Sequence, residues 1–204
     1  MRLLVATRSL GKQAEARRLL EAAGHEAVFP DVAGIPEASI EETLETEPTF
    51  VGNARKKAEY FQRKTGLPTV ADDSGLEVLS LDGAPGIRSK RWAGAQGSSD
   101  EIDVANNAEL LRRLRGASPP KRSAQYRCVL VLLRSAEARP EVFEGTCTGR
   151  ILESAAGSGG FGYDPLFWSV ELGKSFGEAT AGEKDRVSHR GRAFQALLAA
   201  LGGA

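Results

Sequence analysis

The sequence predicts an α/β fold with a mixed sheet, on three observations. A short apolar strand, a turn and an amphipathic helix open the chain, two long segments of β-branched, alternating character lie in its second half, and a helix with a leucine stripe closes it. At 204 residues, without an internal repeat or a low-complexity tract, the chain is long enough for one generous domain or for two lobes sharing a sheet. Such a chain buries a sizeable core without help from disulfides.

Taken in order, Leu3 to Ala6 reads as a buried strand, and the turn Thr7 to Gly11 leads into a helix with Ala14, Ala16, Leu19 and Leu20 inward, stopped at Gly24. From Pro30 to Pro48 the chain is acidic and rich in turn formers. Phe50, Ala54, Ala58 and Phe61 then recur at helical spacing until Gly66, with Lys56 and Lys57 on the same helix. Leu67 to Ala71 and Leu76 to Leu81 read as two short strands, broken by a polar knot, Asp72-Asp73-Ser74-Gly75, at a strand end. Ser98 or Ser99 can cap a third helix, whose first turn carries Asp100 and Glu101 and whose inward face is Leu110, Leu111 and Leu114, ending by Gly116. Pro119-Pro120 marks a loop from Ala117 to Lys121. Gln125 to Leu133 and Glu141 to Glu153 are the longer strands, joined near Ala136 to Pro140. The last helix covers Ser188 to Leu201, with Leu197, Leu198 and Leu201 as its stripe.

Charge and cysteine content exclude several classes. With 27 basic and 27 acidic residues the formal charge is zero, so no bulk attraction to nucleic acid or to an anionic membrane is expected, and any anion site must be local. The two cysteines, Cys128 and Cys147, show neither CxxC nor Cys/His spacing and read as buried reduced thiols. Leu3 to Ala6 is too short for the core of a signal peptide, and no window approaches the ~20 apolar residues of a membrane span. A cytoplasmic protein is expected.

Several nucleotide and hydrolase motifs fail on context. Gly157 to Gly162 matches GxGxxG, but it follows no first strand, and Pro165 opposes a helix after it, so a dinucleotide fold is rejected. No HRD or DFG set accompanies it as in a kinase, and His189 lacks an obvious Cys or Ser nucleophile partner, so acyl transfer is unsupported. Gly11-Lys12 lacks the leading Gly and trailing hydroxyl of a Walker loop. Even so, a Thr7 to Lys12 turn between strand and helix offers free N–H groups, the positive helix end and a Lys ammonium, which suit a phosphate; the same turn also serves as a plain connection.

Asp72-Asp73 is a stronger signal. Adjacent carboxylates at a buried position cost several kcal/mol unless cations or donors offset them, and Mg²⁺ would do so; the bland alternative is a turn in which one Asp caps the backbone. Glu41, Glu42, Glu45 and Glu47 offer a further hard oxygen ligand or simply a solvated face. Ser188-His189-Arg190, with Lys184 shortly before, could close over an anion or a polar base edge, or could be surface.

Together these segments resemble the inosine triphosphate pyrophosphatase family, the dITP/XTP pyrophosphatases, over nearly the whole chain. The resemblance is carried by Ala6-Thr7 with Gly11-Lys12, Thr49-Phe50 with Asn53-Ala54 and Lys57-Ala58, Ala71 to Leu76, Gly83 to Gly86 with Ser89 and Arg91, Gly160 to Pro165, and Ser188 to Arg190, in the family's order. Ser9 and Glu47 depart from the family's usual Asn and Gly, and Trp92 from its Tyr or Phe. The resemblance implies an elongated mixed sheet flanked by helices, two lobes with a substrate cleft between them, and a homodimer acting on small-molecule purine nucleoside triphosphates. It implies Mg²⁺, with Mn²⁺ as a substitute, on Glu45, Asp72 and Asp73, and Asp73 as general base. Thr7, Arg8, Ser9, Leu10, Gly11, Lys12, Asn53, Lys57, Ser74 and Lys184 would meet the nucleotide, chiefly its phosphates. Phe161, Gly162, Tyr163 and Asp164, with Lys184, His189 and Arg190, would form the base pocket, Arg190 facing the O6 of a 6-oxo purine. A Maf-type nucleotide pyrophosphatase and a nucleotide sensor without turnover share parts of this pattern, but FGYD with SHR separates the first, and an intact Asp73 the second.

Overall fold

A computed structural model of the chain describes residues 1–202. Its strands are β1 (Arg2–Val5), β2 (Glu26–Val28), β3 (Thr69–Val78), β4 (Ser123–Leu133), β5 (Glu141–Ile151), β6 (Phe167–Ser169) and β7 (Lys174–Ser175). Its helices are α1 (Leu10–Ala22), α2 (Phe50–Thr65), α3 (Ser99–Arg113), α4 (Ala181–Val187) and α5 (His189–Gly202). The strands form one seven-stranded sheet in the order β2-β1-β3-β4-β5-β6-β7. β1 pairs in parallel with β2 and β3, whereas β6 pairs antiparallel with β5 and β7, so the sheet is mixed as the sequence predicts.

Local chemistry sets the helix ends. Thr49 caps α2 by accepting from the Gly52 N–H, and Gly66 ends it at φ 68°, a left-handed conformation that glycine adopts without strain. Of the two candidate caps for α3 the structure uses Ser98, in a reciprocal capping box with Glu101. Thr180 and Glu183 repeat the box at α4, a helix too short to show a period in the sequence, and Ser188 alone separates it from α5.

The expectation for the chain from Leu67 to Leu81 is overturned in two respects. The two short strands foreseen around Asp72-Asp73 are a single strand, β3, and the polar knot lies inside it, not at its end. The carboxylates do not break the strand because their oxygens find partners outside it, as described below, and Gly75 is required by a close approach. A Cβ there would lie 2.2 Å from the Gly86 carbonyl oxygen and 2.6 Å from Ser89 Oγ, which itself accepts from the Leu76 N–H at 2.9 Å. The tail expected as strand, Leu79–Leu81, is a turn of 3-10 helix.

The chain divides into two compact units. The first comprises residues 1–73 and 128–145 and the chain from Arg190 on; the second comprises 74–127 and 146–189. In the first unit, alternation along β1 sends Leu3 and Val5 into a cluster with Ala16, Leu20, Phe194 and Leu197, and Leu4 and Ala6 into another with Ala54, Ala58 and Phe61. Helices α1 and α5 therefore cover one face of these strands and α2 the other, which is why the run Cys128 to Leu133 in β4 is buried throughout. In the second unit Leu76, Val78, Leu110, Leu114, Tyr126, Phe167 and Phe176 form one core. Cys128 and Cys147 are buried free thiols, as expected.

Candidate active site

In the first unit the β1–α1 turn, α2 and β3 bring the expected phosphate and metal residues together. Ser9 is the N-cap of α1 without a side-chain bond, Leu10 is 79% exposed, and Thr7 Oγ1 accepts from the Ser9 N–H at 3.2 Å. Gly11 and Lys12 lie on the first turn of α1, and Lys12 Nζ reaches Asp72 Oδ2 at 2.9 Å. Helical spacing on α2 puts Asn53 and Lys57 on one face, both buried. Asn53 donates to Asp73 Oδ2 at 2.8 Å and accepts from the Glu47 N–H at 2.8 Å. Lys57 Nζ donates to Glu45 Oε1 at 2.6 Å and to the Asp72 carbonyl oxygen.

The two aspartates sit in opposite electrostatic environments. Burial pushes the Asp72 carboxyl up, but Lys12, Arg190 and Lys57 outweigh it and hold the group well below the usual carboxylate range. Asp73 is raised, by burial first and then by the like charge of Glu45, with Lys57 and Lys12 opposing. Lys57 loses by burial and gains more from Glu45, Asp73 and Asp72, so its ammonium is held charged. A fixed anion next to a carboxylate of raised basicity is the pairing that proton-transfer chemistry uses.

Three side chains have partners that the sequence did not foretell. Arg190, expected at the base, bonds Glu15 with its guanidinium and reaches Asp72 Oδ2 at 3.2 Å. Burial lowers its proton affinity, and Glu15 and Asp72 more than restore it. Asp72, foreseen as a metal ligand, is thereby engaged by two cations. Arg8, foreseen at phosphate, forks onto Glu41 at 2.8 and 3.0 Å and also holds Asp31 and the Ile35 carbonyl at 3.0 Å, tying down the acidic segment that carries Glu45. Among the described residues no three acidic, His or Cys side chains converge as a ready metal cluster. Glu45 and Asp73 suit a cation that keeps several waters and takes oxygens from phosphate, as Mg²⁺ does.

In the second unit the FGYD segment is gathered around a buried ion pair. Lys184 on α4 bonds Asp164 Oδ2, which also accepts from the Phe161 N–H at 2.9 Å, and the Lys184 ammonium lies 4.7 Å from the Phe161 ring centre. Tyr163 Oη donates to the Ser89 carbonyl at 2.8 Å. His189 stacks on Tyr126, with centroids 4.5 Å apart and planes within 7°, and Ser188 is buried beside it in sequence. Ser74, partly buried on β3, also falls in this unit.

Glu15 and Tyr126 are members that sequence reasoning missed. Glu15 had a readable signal: it replaces Ala14 on the inward face of α1, where an acid needs a cation. Tyr126 had only its inward position in the alternation of β4.

The Ham1 family model matches residues 3–200. A dITP/XTP pyrophosphatase of Erwinia tasmaniensis is 45% identical over 200 residues, covering 98% of this chain and 93% of its own length. One of Thioalkalivibrio sulfidiphilus is 42% identical, covering 100% of both chains. Among solved structures, a HAM1 protein from Coxiella burnetii matches at TM-score 0.85 with 33% identity, covering 100% of both chains. A nucleoside-triphosphatase, dITP/XTP pyrophosphatase, from Mycobacterium abscessus matches at TM-score 0.73 with 42% identity, covering 97% of this chain and 99% of its own.

Proposed function

This chain belongs to the Ham1 family, and we propose that it hydrolyses dITP, ITP and XTP to the nucleoside monophosphate and pyrophosphate, clearing deaminated purines from the nucleotide pool. The observation that carries this reading is the charge array gathered around β3: Asp73 raised, Asp72 held anionic, and Lys12, Lys57 and Glu45 within bonding reach of them or of each other. Full-length relatives named dITP/XTP pyrophosphatase support the choice of substrate.

Phosphoryl transfer needs positioning and charge stabilisation more than covalent chemistry. Asp73 takes the proton of the attacking water, for which its raised basicity fits it. Asn53 fixes the carboxylate orientation through Asp73 Oδ2. Lys12 and the N–H groups of the Thr7 to Gly11 turn receive phosphate oxygens, and Lys57 keeps Glu45 in place. Because the guanidinium of Arg8 is engaged, its contribution to phosphate comes from the main chain. Mg²⁺ on Glu45 and Asp73 would supply charge neutralisation at the phosphates, and Mn²⁺ can replace it since the ligands are oxygens. In the second unit, Phe161 stacks on the base, with Gly162, Tyr163, Asp164, Lys184 and His189 shaping its surroundings.

A homodimer in the cytoplasm completes the proposal; among the described residues no helix is long and apolar enough to cross a membrane. The test is anion-exchange analysis of XTP, dITP and ITP incubated with the protein and Mg²⁺. Monophosphate with pyrophosphate is expected. Diphosphate with orthophosphate, or bound but unaltered nucleotide as a sensor would give, contradicts it.

A further inference from the structure

No strand or helix spans Phe161 to Tyr163, yet each of the three residues is tied down separately. Phe161 N–H goes to Asp164 and Tyr163 Oη to the Ser89 carbonyl. Gly162, between them, has φ 64° and no side chain of its own with which to anchor. Both of its backbone groups are instead gripped from α3: its N–H donates to Asp103 Oδ2 at 2.7 Å, and its carbonyl accepts from Asn107 Nδ2 at 2.9 Å. The two gripping residues stand four apart, one above the other on the same helix face. The grip is itself braced. Lys90 holds the other Asp103 oxygen at 3.0 Å and Ser99 Oγ at 2.8 Å, while Asn106 donates to the Lys90 carbonyl at 3.1 Å.

We propose that Asp103 and Asn107 are positioning residues that fix the peptide of Gly162 and thereby hold the Phe161 ring as a preformed platform for the base. They do not touch the nucleotide. A flat ring binds a base well only if its orientation is fixed beforehand, since otherwise binding must order the loop first. Losing either bond lets the glycine, the residue with the widest backbone freedom, rotate, and Phe161 with it. The inference rests on Phe161 being the base platform.

A double-mutant cycle between Asn107→Ala and Phe161→Ala tests it, read as KM and kcat for XTP and dITP. Loss of one net hydrogen bond should raise KM by about 3- to 10-fold in Asn107→Ala while kcat stays within about twofold. In that background the further effect of Phe161→Ala on KM should shrink by about threefold or more, because the platform is already disordered. Asp103→Ala should behave alike, and Asp103→Asn, which keeps an oxygen for the Gly162 N–H, should retain more affinity than Asp103→Ala. Should Asn107→Ala fail to fold, Asp103→Ala carries the same cycle. Independent, multiplicative effects on KM, or a fall in kcat with KM unchanged, would overturn the proposal. If the parent hydrolyses none of these nucleotides, the functional reading fails, and the grip is judged by amide exchange at Gly162. Protection in the parent and its loss in Asp103→Ala supports the grip, and equal exchange in both refutes it.

Discussion

Replacing Arg190 by Ala should destabilise the protein far more than a surface change would. Arg190, Glu15 and Asp72 are 3%, 5% and 6% exposed, so the guanidinium neutralises two carboxylates that have almost no access to water. Asp72 keeps Lys12 at 2.9 Å, but Glu15 loses the cation that bonds it. Removing one partner of a buried ionic group costs about 3–5 kcal/mol. For a domain of this size each kcal/mol lowers Tm by about 2–4 °C, so a fall of about 10 °C is expected. The companion variant removes the acid as well: Glu15→Met with Arg190→Met should recover more than half of the loss, because an apolar pair of similar volume replaces a buried ion pair nearly neutrally. Urea and thermal unfolding of parent, single and double variants measure both. The acid limb gives a further check. Asp72 is depressed in the folded state, so its contribution is complete above the ordinary carboxylate range and drains away as pH falls below about 4. In Arg190→Ala this loss of stability toward acid should be shallower. A Tm within about 2 °C of the parent in Arg190→Ala would refute the brace.

Asp73→Asn should keep the fold and the bonds to Asn53 while lowering kcat by at least ~10²-fold, because an amide accepts no proton; steady-state kinetics and a nucleotide-binding titration check the two halves of this statement. Activity should vanish in chelator and return with Mg²⁺ or Mn²⁺, which undiminished hydrolysis in a metal-free assay would contradict. Burial pushes the Cys128 thiol up to about 12, so alkylation should be negligible in the native protein and rapid only after unfolding, as followed by mass spectrometry.

The fold was legible where periodicity or capping chemistry is local. The buried stripe of α2 falls at Phe50, Ala54, Ala58 and Phe61 as spaced, and a capping serine followed by Asp100 and Glu101 announces α3. The short elements β2, β6, β7 and α4 repeat their pattern too few times to leave such a trace. The break expected at Asp72-Asp73 failed because side-chain partners from α1, α2 and α5, distant in sequence, let charged residues stand inside a buried strand. The same blindness affected the site. Which residues gather was readable from the spaced motifs, but not that Arg190 and Arg8 spend their guanidinium groups on Glu15, Glu41 and Asp31. Pairing across long separations is set by the tertiary fold, and no local pattern encodes it.

Hydrolysis of XTP in heavy-oxygen water reports most directly on the central claim, that water activated by Asp73 attacks the α-phosphorus. Mass spectrometry of the products after a single turnover locates the label. Heavy oxygen is expected in the monophosphate and none in the pyrophosphate; label in the pyrophosphate would mean attack at the β-phosphorus and would contradict the claim.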